Sequence, residues 1–417
     1  MKSKLLVLLL VGLMAVAFIA GCGDDDDANG DDALETYTVV GIFPLTGALG
    51  TFGENSSEVA RLAARDVNTW LEEEGKNWRL RLEIDDTATE GSVGLRKMQT
   101  WYGEGVQFFA GPQASGVAME CLSFANANQI LYISPSSTSP ALAIPDDFLL
   151  RFCTTDALQG PAIAKIVKES GAKHVIFSWR GDTWGDGLQA ATAEALSGVT
   201  VYPRELRYDP LKEDFSTDIA LLDDYVSDLV GQGAALNEIA LVVIAFEEIA
   251  PFIAQATEYD QLKEIVWIGS DGTANSEALV SHPTASKFAD DVRFVNTINR
   301  PPAETPQSRF QYVRDHIQTE FGRETDAYSY NTYDIIWAFA LSIDEVGYDS
   351  VKVKEILPRV ADKHTAIHGA SGHVVLNADG DRAFADFDLW LISNGQWQNV
   401  GYYDGATGQI NWDRKIY

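Results

Sequence analysis

The feature that most limits how this chain can fold is the regular return of short apolar runs between amphipathic stretches. Residues 37–43 (Tyr-Thr-Val-Val-Gly-Ile-Phe) read as a buried strand, and a turn over 47–53 leads into a helix whose Ala60, Ala63, Ala64, Val67 and Leu71 share one face. Thr51 and Glu54 have the spacing of a capping box for that helix. Leu80, Leu82 and Ile84 alternate with Arg81 and Glu83 in the next strand, and the apolar runs 106–110 and 130–133 follow further helical stretches. The pattern restarts after about residue 157, with strands expected at 174–178, 241–245, 266–269 and 292–295 and helices such as 159–169. Strands separated by helix-length crossovers pair in parallel, and a parallel sheet is covered on both faces. The expected fold is α/β, with two doubly wound parallel-sheet lobes. Such sheets bind ligands beyond the carboxyl ends of their strands. Three segments leave a strand directly into small polar residues there: 110–115, 133–138 and 268–272.

Length and charge narrow the reading further. A chain of 417 residues, 46% hydrophobic, exceeds one ordinary core, so two packed domains are expected. Its 61 acidic against 31 basic residues give a formal net charge of -30, which repels phosphate backbones and anionic lipid headgroups, so no nucleic-acid partner is expected. At the N-terminus, Lys2 and Lys4 precede an uncharged apolar run over 5–20 that is short for a bilayer span and fits a signal peptide. Ile19-Ala20-Gly21-Cys22 resembles the bacterial lipobox, which implies a signal peptide of residues 1–21 and a diacylglyceryl group on Cys22; the alternative is a buried apolar helix that ends in cysteine. Residues 22–35, with Asp24 to Asp27, Asp31 and Asp32, carry like charges and little to bury, which is the composition of a solvated tether.

The motifs of the remaining chain occur in a characteristic order: Gly41-Ile-Phe-Pro-Leu-Thr-Gly47, Asp85-Asp86, Gly111-Pro-Gln-Ala-Ser115, Ile133-Ser-Pro-Ser-Ser-Thr-Ser-Pro140, Arg151-Phe-Cys-Thr-Thr-Asp156 with Gln159-Gly160, Trp184-Gly185, Trp267-Ile-Gly-Ser-Asp271 and Tyr333-Asp334. In this order the chain resembles a type I periplasmic solute-binding protein of the leucine, isoleucine and valine-binding family, the receptors of branched-chain amino acid ABC transporters. The resemblance implies three crossings between lobes, near Asp156, Asn299 and Asp386. One lobe would then comprise 36–156 with 299–386, and the other 157–298 with 387–417, closing about a three-strand hinge. It also implies that Ser115 at a helix N-terminus, with Ser136, Ser137 and Thr138, holds a ligand carboxylate; such a terminus offers unpaired N–H donors. Asp271 would face the ligand ammonium, though it is one methylene shorter than the glutamate common in the family. Phe52, Trp184 and Phe246 would line the side-chain pocket, and Asp156 would serve either ligand or hinge. The implied protein is a lipid-anchored extracytoplasmic monomer that needs no cofactor and delivers a small amino-acid-like solute to an ABC permease of the inner membrane.

Other readings of the same residues stay open at this stage. The hydroxyls at 115 and 136–138 could cap helices, and Asp271 could make an Asx-turn before Gly272. Trp184, flanked by turn residues, reads as exposed in a cleft rather than buried in a core. His364, His368 and His373 invite a metal, but Gly369 and Gly372 interrupt the shared helix face, and no metal site is expected. Asn377-Ala-Asp379-Gly-Asp381 imitates a calcium loop with its glycine misplaced and reads as a polar hairpin turn. Cys121 and Cys153 could pair outside the cytoplasm. No nucleophile elbow, Walker A or complete Rossmann fingerprint appears, so no catalytic residues are assigned. The alternatives to transport are a sensory module of the same fold, a binder of amides or aromatic carboxylates and, last, a cell-surface hydrolase.

Overall fold

A computed structural model describes residues 34–301 and 309–417, and Glu35–Tyr417 forms one unit. The expected signal peptide, Cys22 and nearly all of the acidic tether lie outside the described residues.

The first sheet is parallel and is built from β1 (Glu35–Phe43), β2 (Trp78–Asp86), β3 (Phe108–Ala110), β4 (Leu131–Ser134) and β5 (Leu149–Arg151), in the order β2-β1-β3-β4-β5. Its crossovers are α1 (Gly50–Glu73), α2 (Gly91–Gly103) and α3 (Ser115–Asn128). Val39 to Phe43 of β1 are buried throughout, as a central strand covered on both faces requires. In α1 the face carrying Val59, Ala60, Ala63, Val67 and Leu71 is buried, and each of its larger aliphatic side chains contributes about 1.5–3 kcal/mol. The helix begins at Gly50 with Leu49 as its cap and has no side-chain cap. The expected capping box does not form, because Thr51 is already inside the first turn and Glu54 turns outward to Arg323, 3.0 Å away.

The second sheet follows α4 (Asp156–Glu169). It comprises β6 (His174–Arg180), β7 (Thr200–Val201), β8 (Leu206–Tyr208), β9 (Ile239–Ile244) and β10 (Val266–Ile268), interleaved with α5 (Thr183–Ala195), α6 (Ser216–Gly231) and α7 (Ile249–Ala256). The order is β10-β9-β6-β7 with β8 also on β6, all parallel. Both sheets therefore place their second strand outside their first, so each has a switch point: between β1 and β3, and between β6 and β9.

Beyond these come α8 (Glu277–Ser281), α9 (Pro283–Asp291), β11 (Asn296–Asn299), α10 (Phe310–Phe321), α11 (Ala327–Val346), α12 (Ser350–His368), β12 (Phe387–Ser393), β13 (Gln396–Asp404) and β14 (Gln409–Trp412). The strand expected at 292–295 starts later, at Asn296, because α9 runs to Asp291 and Arg293 turns the chain with φ 54°; Val295 still bridges Ile268 in parallel. Strands β11 to β14 form an antiparallel sheet that the parallel grammar does not anticipate. Its hairpin turns at Asn394-Gly395, both with positive φ, which is the two-residue turn that matches strand twist. Helix α11 is buried along most of its length and packs on α1, with Trp337 5.9 Å from Trp70 and Phe339 5.5 Å from Phe108. A segment that follows the second sheet in sequence thus completes the core of the first.

Several sequence features resolve differently in three dimensions. Cys121 and Cys153 are both free and buried, and burial pushes the Cys121 thiol up to about 12. His364 stacks on Trp337 with centroids 5.3 Å apart and His373 pairs with Asp362, while no group of three or more metal-ligating side chains converges among the described residues. Asn377 does organise a turn, accepting from the N–H groups of Asp379 and Asp381, but the Asp381 carboxylate leaves it to form a buried bidentate pair with Arg151. Among the described residues no helix is long and apolar enough to cross a membrane.

Candidate functional site

A narrow crevice lies where the strand ends of the two parallel sheets meet. From the first sheet it receives Leu49 and Phe52 after β1, Gln113, Ala114 and Ser115 after β3, and Ser136 after β4. From the second it receives Trp184 after β6, Phe246 after β9, and Asp271 and Gly272 after β10, while Tyr328 enters from the first turn of α11. The segments after both strands of each switch point contribute, as the rule for open α/β sheets requires.

Each wall is held by its own local chemistry. Asp182 caps α5 by accepting from the N–H groups of Trp184 (3.1 Å) and Gly185 (2.9 Å), which fixes where the indole leaves the helix. The indole stacks on Phe246 with centroids 4.5 Å apart, and the Arg180 guanidinium lies 4.1 Å from the Phe246 ring, itself paired with Asp182 and Glu248. Gly272 makes this stack possible: a Cβ there would meet Trp184 Cη2 at 2.6 Å and Phe246 Cδ1 at 2.8 Å. Asp326 caps α11 through the N–H groups of Tyr328 and Ser329 and accepts from Asn55 of α1 at 2.8 Å, which anchors Tyr328 to the first sheet's layer.

Asp271 is the charged group of the crevice. Its two oxygens accept from Gln159 Nε2 at 2.9 Å and from the Tyr328 hydroxyl at 2.6 Å, and Gln159 Nε2 also donates to Thr297. Burial holds its pKa above the usual carboxylate range, against the pull of the Tyr328 and Gln159 hydrogen bonds. Burial and then the Asp271 charge push the Tyr328 hydroxyl well up, so tyrosine remains the donor of this pair. A carboxylate offers about four lone-pair sites, so Asp271 keeps acceptor capacity for a ligand cation. Among the described residues no lysine or arginine lines the crevice.

Of the residues expected from sequence, Phe52, Ser115, Ser136, Trp184, Phe246 and Asp271 line this crevice, whereas Ser137, Thr138 and Asp156 do not. The Ser137 hydroxyl serves the turn after β4, donating to the Gln113 carbonyl at 3.0 Å, and its own carbonyl accepts from Arg151. The Thr138 hydroxyl is buried and the Thr138 carbonyl receives the Asp156 N–H at 2.8 Å. Asp156 is fully buried at the start of α4; burial and then the Asp271 charge push it well above the usual range, against Thr138 and Arg151. Trp184 is only 2% exposed, because the Phe246 stack shields it from solvent on one face. The Ser115 hydroxyl accepts from the Ser139 N–H at 3.1 Å, so it ties the turns after β3 and β4 together at the N-terminus of α3. Sequence reasoning passed over Leu49, Gln113, Ala114, Gly272 and Tyr328. Gln113, Ala114 and Gly272 stand inside segments that it had singled out, but Tyr328 lies far along the chain and outside every marked motif.

Residues 55–394 match the model of the receptor family ligand binding region. The chain is 31% identical over 421 residues to the uncharacterized protein MJ1266 of Methanocaldococcus jannaschii, covering 96% of this chain and 98% of that one. It is 24% identical over 395 residues to Leu/Ile/Val-binding protein homolog 3 of Brucella melitensis, covering 92% and 97%. Among solved structures, the branched-chain amino acid transporter substrate binding protein LivJ of Streptococcus pneumoniae, in complex with isoleucine, superposes with a TM-score of 0.71 at 18% identity, covering 88% of this chain and 99% of that one.

Proposed function

Because this chain belongs to the receptor family ligand-binding region and has the fold of the type I periplasmic binding proteins of branched-chain amino acid ABC transporters, we propose that it is the extracytoplasmic substrate-binding lipoprotein of such an importer. In this reading it is a monomer held to the membrane by lipid on Cys22, and residues 36–156 with 299–386 close on residues 157–298 with 387–417 around a small amino-acid-like solute. The carrying observation is Asp271: a carboxylate only 3% exposed, in a crevice shared by both sheets, with acceptor capacity to spare. A ligand ammonium supplies the missing counter-charge, and the N-terminus of α3 beside Ser115 offers N–H donors to its carboxylate. Contacts to both walls stabilise the closed state, which the permease recognises; no covalent chemistry is required. The Trp184, Phe246 and Phe52 rings also favour a second reading, a flat aromatic acid, although such a ligand leaves Asp271 without its cation.

The test is a thermal-shift screen of the chain lacking its first 22 residues, unfolded and refolded to strip bound solute, against amino acids, short amides and aromatic acids. A ligand at about 100 times its Kd adds about 2.7 kcal/mol to native-state stability. Amino acids that shift the wild type but not Asp271→Ala support the proposal. A shift only by carboxylates or amides without an ammonium overturns the amino-acid assignment.

A further inference from the structure

The side chain of Gln113 carries an acceptor that the fold itself does not use. Gln113 is 2% exposed and is one of the residues that wall the crevice. Its Nε2 donates to Ser56 Oγ at 2.9 Å and to the Phe52 carbonyl at 3.4 Å, both on α1. A carbonyl oxygen only accepts, so the nitrogen arm of the amide is the one that faces α1. The other arm, Oε1, is buried and has no hydrogen-bond partner. The main chain beneath it is fixed, since the Gln113 carbonyl accepts from the hydroxyls of Ser136 and Ser137 at 3.1 and 3.0 Å. The amide is therefore clamped at its nitrogen and at its backbone, and it cannot rotate to satisfy Oε1 without losing α1. Leu49, Phe52 and Ala114 line the crevice beside it, as do Ser115 and Ser136, whose hydroxyls are engaged by the Ser139 N–H and the Gln113 carbonyl.

From this arrangement we propose that Gln113 selects the ligand by its side chain: the solute carries a hydrogen-bond donor, a hydroxyl or an amide N–H, where a branched-chain amino acid carries a methyl group. The inference rests on the amino-acid reading of the crevice and narrows it. An aliphatic side chain sealed into the crevice would exclude water and leave Oε1 unpaired, whereas a donor-bearing one of the same shape pairs it. Sites built to hydrogen-bond a ligand group discriminate strongly against the analogue that lacks it.

The experiment is calorimetric titration of the refolded chain with matched pairs: threonine and valine, asparagine and leucine, glutamine and methionine, tyrosine and phenylalanine. In at least one pair the donor-bearing member binds about tenfold or more tightly than its partner, and Gln113→Met brings that ratio close to one. Structural damage from the substitution would weaken both members of a pair together, so the ratio, read beside the melting temperature of the variant, isolates the contact. Apolar members that bind as tightly as their partners, or a ratio unchanged in Gln113→Met, overturn the inference and leave the amino-acid reading standing. Binding of no member of any pair overturns both.

Discussion

At the scale of single residues, Asp271 of the crevice and Asp156 at the start of α4 are buried carboxylates whose cost depends on pH. Asp156 and Asp271 both hold their protons to higher pH than free carboxylates, chiefly through burial, and for Asp156 next through the Asp271 charge. An acid with a raised folded pKa binds more protons in the native state than in the unfolded one between the two values, so its contribution to stability falls as pH rises through that window. The melting temperature of ligand-free protein, followed from about pH 4 to about pH 8, should therefore decline more steeply in the wild type than in Asp156→Asn. Equal slopes would remove Asp156 from this account. The same substitution should stabilise the ligand-free protein at neutral pH, because it removes a charge that burial and the neighbouring Asp271 disfavour. Gly272→Ala acts on the opposite wall: the added methyl would overlap the Trp184 and Phe246 rings and the Ala245 carbonyl. Ligand affinity should drop by about tenfold or more, while circular dichroism still reports a folded chain; retained affinity would show that the stack does not shape the site.

At the scale of elements, one ion pair fastens the turn after β4. Arg151 ends β5, is wholly buried, pairs bidentately with Asp381 and donates through Nη1 to the carbonyls of Ser137 and Ser139, each at 2.8 Å. Removing one partner leaves the other charge buried and alone, so Arg151→Ala should cost about 3–5 kcal/mol in denaturant unfolding. The double replacement Arg151→Met with Asp381→Leu should recover most of that loss; a double variant as unstable as the single one would sink the explanation. The motifs around this pair were readable, since Arg151 opens a marked segment of sequence. Its partner was not, because Asp381 lies inside a turn-like run and a local reading cannot see a contact made across 230 positions.

At the scale of the whole molecule, two hydrogen bonds join the turns of the two sheets: Ser139 Oγ donates to the Thr183 carbonyl at 2.8 Å, and the Glu247 N–H to the Ala48 carbonyl at 3.1 Å. The proposed hinge closure predicts that ligand reduces the radius of gyration of the refolded chain in solution scattering, and an unchanged profile at saturation would refute it. The sequence alone determined the α/β class, the strand-end positions of most crevice residues and the family, because apolar periodicity and turn chemistry are local properties that each segment carries with it. It did not disclose the antiparallel sheet of β11 to β14, because alternating half-buried strands at the end of a chain do not say which earlier strand they join. Only the tertiary structure decided that Tyr328 reaches Asp271, that Ser137 and Asp156 serve the frame rather than line the crevice, and that one arm of the Gln113 amide is left free. Hydrogen-bond satisfaction is a property of the packed whole: a polar side chain has a use for a ligand only after every partner that the fold could give it has been counted.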